Sequence, residues 1–143
     1  MSAFEPDDKL QQVAEAYSRD LMTFARDHFD MDLDWSDDSI LSVEGVGAAL
    51  HHDYRRIRPT EKQIEPYYRM LGSYIGEVYR RNHGADWGWV TRDGHRIPGM
   101  KRQPRTLFWP WARAHNRIVH GPDENLWQYY LHLVSFDTPE EAP

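Results

Sequence analysis

The sequence predicts an α+β fold, in which N-terminal helices precede a small antiparallel sheet of about three strands (residues 86–109) and two C-terminal helices. Before Gly84 and after Pro110, apolar residues recur every three or four positions, a spacing typical of amphipathic helices. Between these regions the spacing falls to about two, which indicates strands. The Asp93-Gly94 dipeptide within them is typical of a β-hairpin turn.

Three helices are expected before the sheet. The first covers residues 6–30, and its apolar stripe consists of Leu10, Val13, Tyr17, Leu21, Phe24 and His28. The second covers about residues 37–56, with Ser36 as N-cap because its hydroxyl oxygen can accept from free backbone amides. Gly45 and Gly47 weaken its middle, so a break or a close helix contact is expected there.

The third helix is expected over residues 61–83, between Thr60 as N-cap and Gly84 as the terminating residue. Gly72 and Gly76 lie one turn apart in it. Because glycine has no side chain, this pair would let a neighbouring element approach the helix backbone closely.

The sheet is predicted from three short segments. Residues 86–92 form the first strand, residues 95–97 begin a return strand limited by Pro98 and Gly99, and residues 106–109 form the third. Two helices then follow. Pro110 opens one that runs to about residue 120, and either Asp123 or Asn125 caps the last.

Length and composition limit the class of protein. A chain of 143 residues fits one domain, and we assign residues 1–136 to a single globular domain and interpret residues 137–143 as a disordered acidic tail. The mean hydropathy of -0.81 and the lack of a long apolar run predict no membrane span. The first residues lack the pattern of a signal peptide. Having no cysteine excludes disulfides and thiol nucleophiles and agrees with a cytoplasmic location.

The net charge of -6 conceals a segregation along the chain. Residues 1–53 contain 13 acidic and 3 basic side chains, whereas residues 54–120 contain 5 acidic and 14 basic ones, nearly all arginine. The acidic half contains a dense run that could present a phosphate-like surface to a basic protein, with a solvated linker as the alternative. We select from it, as candidate partner-binding residues, Asp30, Asp32, Asp34, Asp37 and Asp38.

The central block has two interpretations. Its arginines and tryptophans could bind single-stranded nucleic acid, although the acidic half would weaken their field. Alternatively, the tryptophans belong to the core and the hairpin. The candidate partner-binding residues of this block are Arg80, Arg81, Trp87, Trp89 and Arg92.

Catalytic motifs are incomplete. Glu77 and His83, with the nearby arginines, supply a carboxylate, an imidazole and a cation, which suit acid–base cleavage of a phosphodiester. The alternative is an ion pair between Glu77 and Arg81, one helical turn apart. The eight histidines fit no metal-ligand spacing, and no glycine-rich phosphate loop occurs, so we predict no metal site and no cofactor.

Several short motifs together resemble small uncharacterised bacterial domains, some of which are similar to immunity proteins of secreted toxins. The resemblance spans about residues 10–134. It rests on Leu33-Asp34-Trp35-Ser36 with Ser39, Leu71-Gly72-Ser73-Tyr74-Ile75-Gly76-Glu77-Val78, Asn82-His83-Gly84 with Trp87, Phe108-Trp109-Pro110-Trp111, and Asn125-Leu126 before Tyr129-Tyr130. It implies mainly a fold. Our leading hypothesis is a non-enzymatic protein-binding module, with an immunity-type inhibitor as its most specific form. Nucleic-acid binding and phosphodiester cleavage are the alternatives.

Overall fold

The computed structural model describes residues 3–104 and 106–135, which form five α-helices and a four-stranded antiparallel sheet. The α+β prediction is therefore confirmed, with one strand more than expected. In chain order the elements are β1 (Ala3–Pro6), α1 (Asp8–Phe29), α2 (Ser39–Ile57), α3 (Glu61–His83), β2 (Asp86–Arg92), β3 (His95–Arg102), β4 (Thr106–Phe108), α4 (Pro110–His120), a 3-10 turn (Pro122–Glu124) and α5 (Leu126–Ser135). The predicted tail, residues 137–143, lies outside the described residues.

The additional strand is β1, which ends at Pro6, the residue at which the sequence pattern predicted the first helix to begin. It pairs antiparallel with β2, so that the sheet order is β1-β2-β3-β4. Its Phe4 side chain covers Gly88, where an added Cβ would lie 2.6 Å from the Phe4 ring. Helix α1 starts after it, at Asp8, because the Asp7 carboxylate accepts from the amide of Lys9 at 2.9 Å. Four residues are too few to show an alternating pattern, which is why β1 was missed.

Strand β3 is longer than predicted. The expectation that Pro98 and Gly99 limit it was wrong, because the strand continues to Arg102. Proline cannot donate to a strand ladder, but β4 pairs only with residues 100–102, so β3 has a neighbour on one side only at Pro98.

Helix α2 starts at Ser39, two residues later than predicted, and the Ser36 hydroxyl accepts from the amide of Ser39 at 3.1 Å. The helix is unbroken through both of its glycines. Gly47 permits a close contact instead, since a Cβ there would lie 3.2 Å from side-chain atoms of Arg117 and Leu126. At the last helix, Asn125 is the cap, because its side-chain oxygen accepts from the amide of Gln128 at 2.9 Å.

Helix α3 lies at the centre of the molecule and is buried continuously from Met70 to Tyr79. An added Cβ on Gly72 would lie 2.7 Å from the backbone of Trp111, and one on Gly76 would contact the Trp87 ring. The predicted close approach is therefore present on both sides, with α4 at one glycine and the sheet at the other. Within the described residues, no helix is long and apolar enough to cross a bilayer.

Candidate interaction surface

The acidic segment between α1 and α2 has one well-defined shape. Asp30 ends α1 in the left-handed conformation, with φ of 55°. Leu33 is buried in the core, and the Trp35 ring stacks on Tyr74 at 5.3 Å between ring centroids. The Trp35 amide also donates to the Tyr74 hydroxyl at 2.9 Å. The segment is thus attached to the core by Leu33 and to α3 by Trp35, two alternate side chains of its apolar and acidic pattern.

Asp34 stabilises the turn that leads into α2. Its carboxylate accepts from the Ser36 hydroxyl at 2.6 Å and from the Ser36 amide at 3.1 Å. These hydrogen bonds lower the pKa of Asp34, with the hydroxyl bond as the larger cause. Asp34 therefore has a structural role in the segment in addition to its charge.

Asp37 joins three helices. Its carboxylate accepts from Asn82 at 3.1 Å and His83 at 2.9 Å, both at the end of α3, and from the Tyr130 hydroxyl of α5. Burial opposes ionisation of Asp37, but the hydrogen bonds from Tyr130, Asn82 and His83 outweigh it and lower the pKa. This carboxylate is committed to the fold, so Asp37 is a poor candidate for direct partner contact.

The other three aspartates direct their carboxylates to solvent. Asp30, Asp32 and Asp38 are all exposed. Asp32 forms an ion pair with Arg26 at 3.3 Å, in which the side chains are 86% and 67% exposed, so solvent screens the pair strongly. Asp38 precedes α2 without making a side-chain cap hydrogen bond. The sequence-predicted acidic set therefore divides into two structural aspartates and three outward ones.

Glu77 is fully buried, and its environment is structural. It accepts from Arg80 at 2.8 and 3.1 Å, from Arg81 at 3.4 Å and from the indole of Trp87 at 2.9 Å. The predicted ion pair with Arg81 is present. His83 instead lies against Asp37, so the two proposed acid–base groups have separate partners.

The arginines and tryptophans of the central block contact one another within the molecule. Arg92 covers the Trp109 ring at 4.9 Å, and Arg81 covers the Trp35 ring at 3.7 Å. Trp87 is buried, and the Trp89 indole donates to Asp7 at 2.7 Å. The candidates from this block therefore serve packing in several places instead of forming one surface.

Sequence reasoning missed the residues that shape the acidic segment from a distance. Tyr74, Asn82 and Tyr130 contact it from 39 to 93 positions away in the chain. In the sequence these three residues stand out only as members of the motifs that support the family resemblance. No local spacing links them to the aspartates.

A groove with a volume of about 580 Å³ lies where α1, α2 and α3 meet at one end of the helical layer. Its lining includes none of the residues singled out as site candidates. In the part of the chain that the structure describes, no group of three or more metal-ligating side chains comes together.

Comparison with known proteins adds information on the fold alone. No family model and no curated protein matches the chain. A crystal structure of a protein from Bacteroides thetaiotaomicron VPI-5482 is similar, with a TM-score of 0.68 and 11% sequence identity over 93% of this chain. The match covers 47% of that protein, so the chain spans about half its length. At this identity the likeness supports the architecture, and the immunity-protein resemblance stays a prediction.

Proposed function

We propose that this chain is a non-enzymatic, cytoplasmic protein-binding module that recognises a basic protein through the acidic loop, which we define as residues 30–34. An immunity-type inhibitor, the kind of protein that its motifs resemble, is the most specific form of this proposal. The observation that supports it is the rigid attachment of the loop, which leaves the carboxylates of Asp30 and Asp32 in solvent.

Rigid attachment matters because ordering a loop on binding costs free energy. Here Leu33 and the adjoining Trp35 already fix the loop against the core. Exposed carboxylates of one sign also attract an oppositely charged partner over about 8 Å at physiological salt. A preorganised acidic loop thus favours fast and selective association with a basic surface.

The alternatives draw less support from the geometry. Cleavage of a phosphodiester by Glu77 and His83 requires both groups at one reacting centre, whereas Glu77 is enclosed by two arginines and an indole. Nucleic-acid binding requires aromatic rings that are open to bases. Arginines cover the rings of Trp35, Trp89 and Trp109.

The test compares three immobilised forms of the full chain as bait for proteins of the native host. The D30N/D32N variant removes two loop charges, and asparagine tolerates the left-handed backbone at position 30. The control variant D20N/D27N removes two exposed charges from α1 instead. We expect one protein to be retained by the wild type and the control, and about five- to tenfold less by D30N/D32N.

A host protein retained equally by all three baits contradicts the assignment of the acidic loop. Absence of any specifically retained protein contradicts the protein-binding proposal itself.

A further inference from the structure

Helix α2 has an exposed side that no element of the described chain covers. Residues along it are spaced alternately three and four apart, the spacing of a helix–helix seam. They are Asp38, just before the first turn, and Leu41, Gly45, Ala48, His52 and Arg55. We call this set the α2 seam. Leu41 is 57% exposed, which is unusual for a large apolar side chain on a helix whose other side already supplies the core.

The two ends of the α2 seam carry opposite charges. Asp38 lies at the N-terminal end and Arg55 at the C-terminal end, about 25 Å apart along the helix axis. Within residues 3–104 and 106–135, neither side chain has an ion-pair partner, whereas the neighbouring Arg56 pairs with Asp53 at 3.3 Å. Both charges are therefore available to a second molecule.

The α2 seam is self-complementary in the antiparallel direction. If a second α2 lies antiparallel, with a two-fold axis between Val46 and Gly47, position 38 falls opposite 55, position 41 opposite 52, and position 45 opposite 48. Each acidic end then meets a basic end. The smallest residues meet at the centre, where helix backbones come closest.

We propose that the chain forms a symmetric dimer through the α2 seam, in which Asp38 of each copy pairs with Arg55 of the other and Leu41 packs against His52. This contact is isologous, since each copy uses the same surface. The α2 seam borders the acidic loop, since Cε of Met31 lies 3.7 Å from where a Cβ on Gly45 would be, but the dimer does not depend on the proposed function. It assigns Asp38, a candidate partner-binding residue, to a second copy of this chain.

Helix α5 widens the face beside the α2 seam. It lies along α2, where Tyr130 binds Asp37 and the Leu126 amide donates to Glu44 at 2.8 Å. Leu131 is 49% exposed and points away from the flank on which Tyr129 meets Arg113 of α4. It is a second exposed apolar side chain on a helix that packs beside α2.

Sedimentation equilibrium of the full chain tests the charge pairs. We expect the wild type to dimerise, and D38R and R55D each to raise the dimer dissociation constant about tenfold or more, because each change makes both ion pairs repulsive. The double variant D38R/R55D restores attraction at both ends and should return the constant to near the wild-type value. D20R, an equal charge reversal on the exposed side of α1, should leave it unchanged.

Cysteine cross-linking tests the orientation, since the chain contains no cysteine of its own. In an antiparallel dimer the two copies of position 48 lie close together, whereas those of position 52 are about 16 Å apart along the axis. With a short bismaleimide, A48C should cross-link and H52C should not. A monomeric wild type overturns the dimer, lack of rescue in D38R/R55D overturns the charge pairing, and efficient cross-linking of H52C overturns the antiparallel register.

Discussion

At the scale of single residues, Asp37 stabilises the fold through three donors at once. Its lowered pKa means that the folded state binds a proton at this carboxylate less readily than the unfolded state does. The stabilising contribution is therefore fully present above its ordinary pKa of 3.8 and is lost as the pH falls through the lower value of the folded state.

We expect D37N to lower the free energy of unfolding by about 1 kcal/mol at pH 7, because one acceptor oxygen is replaced by a donor group. The difference from the wild type should shrink as the pH falls from 3.8 through the lower pKa of the folded state, since the wild-type carboxyl then becomes protonated as well. Urea unfolding as a function of pH measures this. The exposed Asp27, changed to Asn, is the control, and a D37N effect that persists at low pH would contradict the account.

The sequence context of Glu77 suggested a catalytic role, whereas its buried position in the structure predicts a role in stability. Removing one member of a buried ion-pair cluster leaves the remaining charges uncompensated. We expect E77Q to lower the free energy of unfolding by about 3 kcal/mol, because Arg80 and Arg81 lose their shared counter-ion. The E15Q variant changes a half-buried partner of Arg80 and should cost less than about 1 kcal/mol in the same urea titration. An E77Q protein as stable as the wild type would show that the cluster is not structural.

At the scale of elements, a second buried ion pair joins α2, α4 and α5. Arg117 donates to both oxygens of Glu44 at 3.0 and 2.9 Å, and the Leu126 amide donates to the same carboxylate. Arg117 is almost fully buried, so the pair fixes where three helices meet. Lysine cannot reproduce the bidentate hydrogen bond that the guanidinium of Arg117 forms with the carboxylate of Glu44.

We therefore expect R117K to lower the free energy of unfolding by about 2 to 3 kcal/mol. The matched control is R113K, which changes an arginine on the same helix whose pair with Glu124 is much more exposed, and it should cost less than about 1 kcal/mol. Thermal or urea unfolding distinguishes the two variants. Equal decreases in the free energy of unfolding would indicate that burial of the Arg117–Glu44 pair contributes little to stability.

How far the sequence predicted these elements depends on whether the controlling contacts are local. The helices were predicted closely because their apolar stripes and caps, such as Thr60, lie within the helices themselves. Strand β1 depends on pairing with β2, more than 80 positions away in the chain, and the extension of β3 past Pro98 depends on pairing with β2 and β4. The residue pattern within either segment does not show these partners. The same applies to the acidic segment, since its density of aspartates was visible but its attachment to Tyr74 and Tyr130 was not.

At the scale of the whole molecule, the acidic and basic blocks of the sequence contact each other in the fold. Arg80 pairs with Glu15 of α1, and Arg117 pairs with Glu44 of α2, so two arginines of the basic block neutralise carboxylates of the acidic half. The net charge of -6 therefore governs long-range encounters more than the arginine count does.

For the same reason we expect no retardation of single-stranded oligonucleotides by this chain, even at low ionic strength, where phosphate contacts are strongest. A gel-shift titration with a pyrimidine-rich strand measures this. R92E and R96E variants provide the comparison. A shift that weakens with added salt and is lost in these variants would favour nucleic-acid binding over the protein-binding proposal.

Because α3 lies at the centre of the molecule, hydrogen exchange of its backbone amides depends on unfolding of the whole domain. Its middle turns are covered by α1, α4 and the sheet, so no local fluctuation exposes their amides to water. Deuterium should enter residues 70–79 only when the entire domain unfolds. Exchange rates in this helix therefore measure global stability directly, and a ligand that binds only the folded state should slow them by the factor 1 + L/Kd, where L is the free ligand concentration.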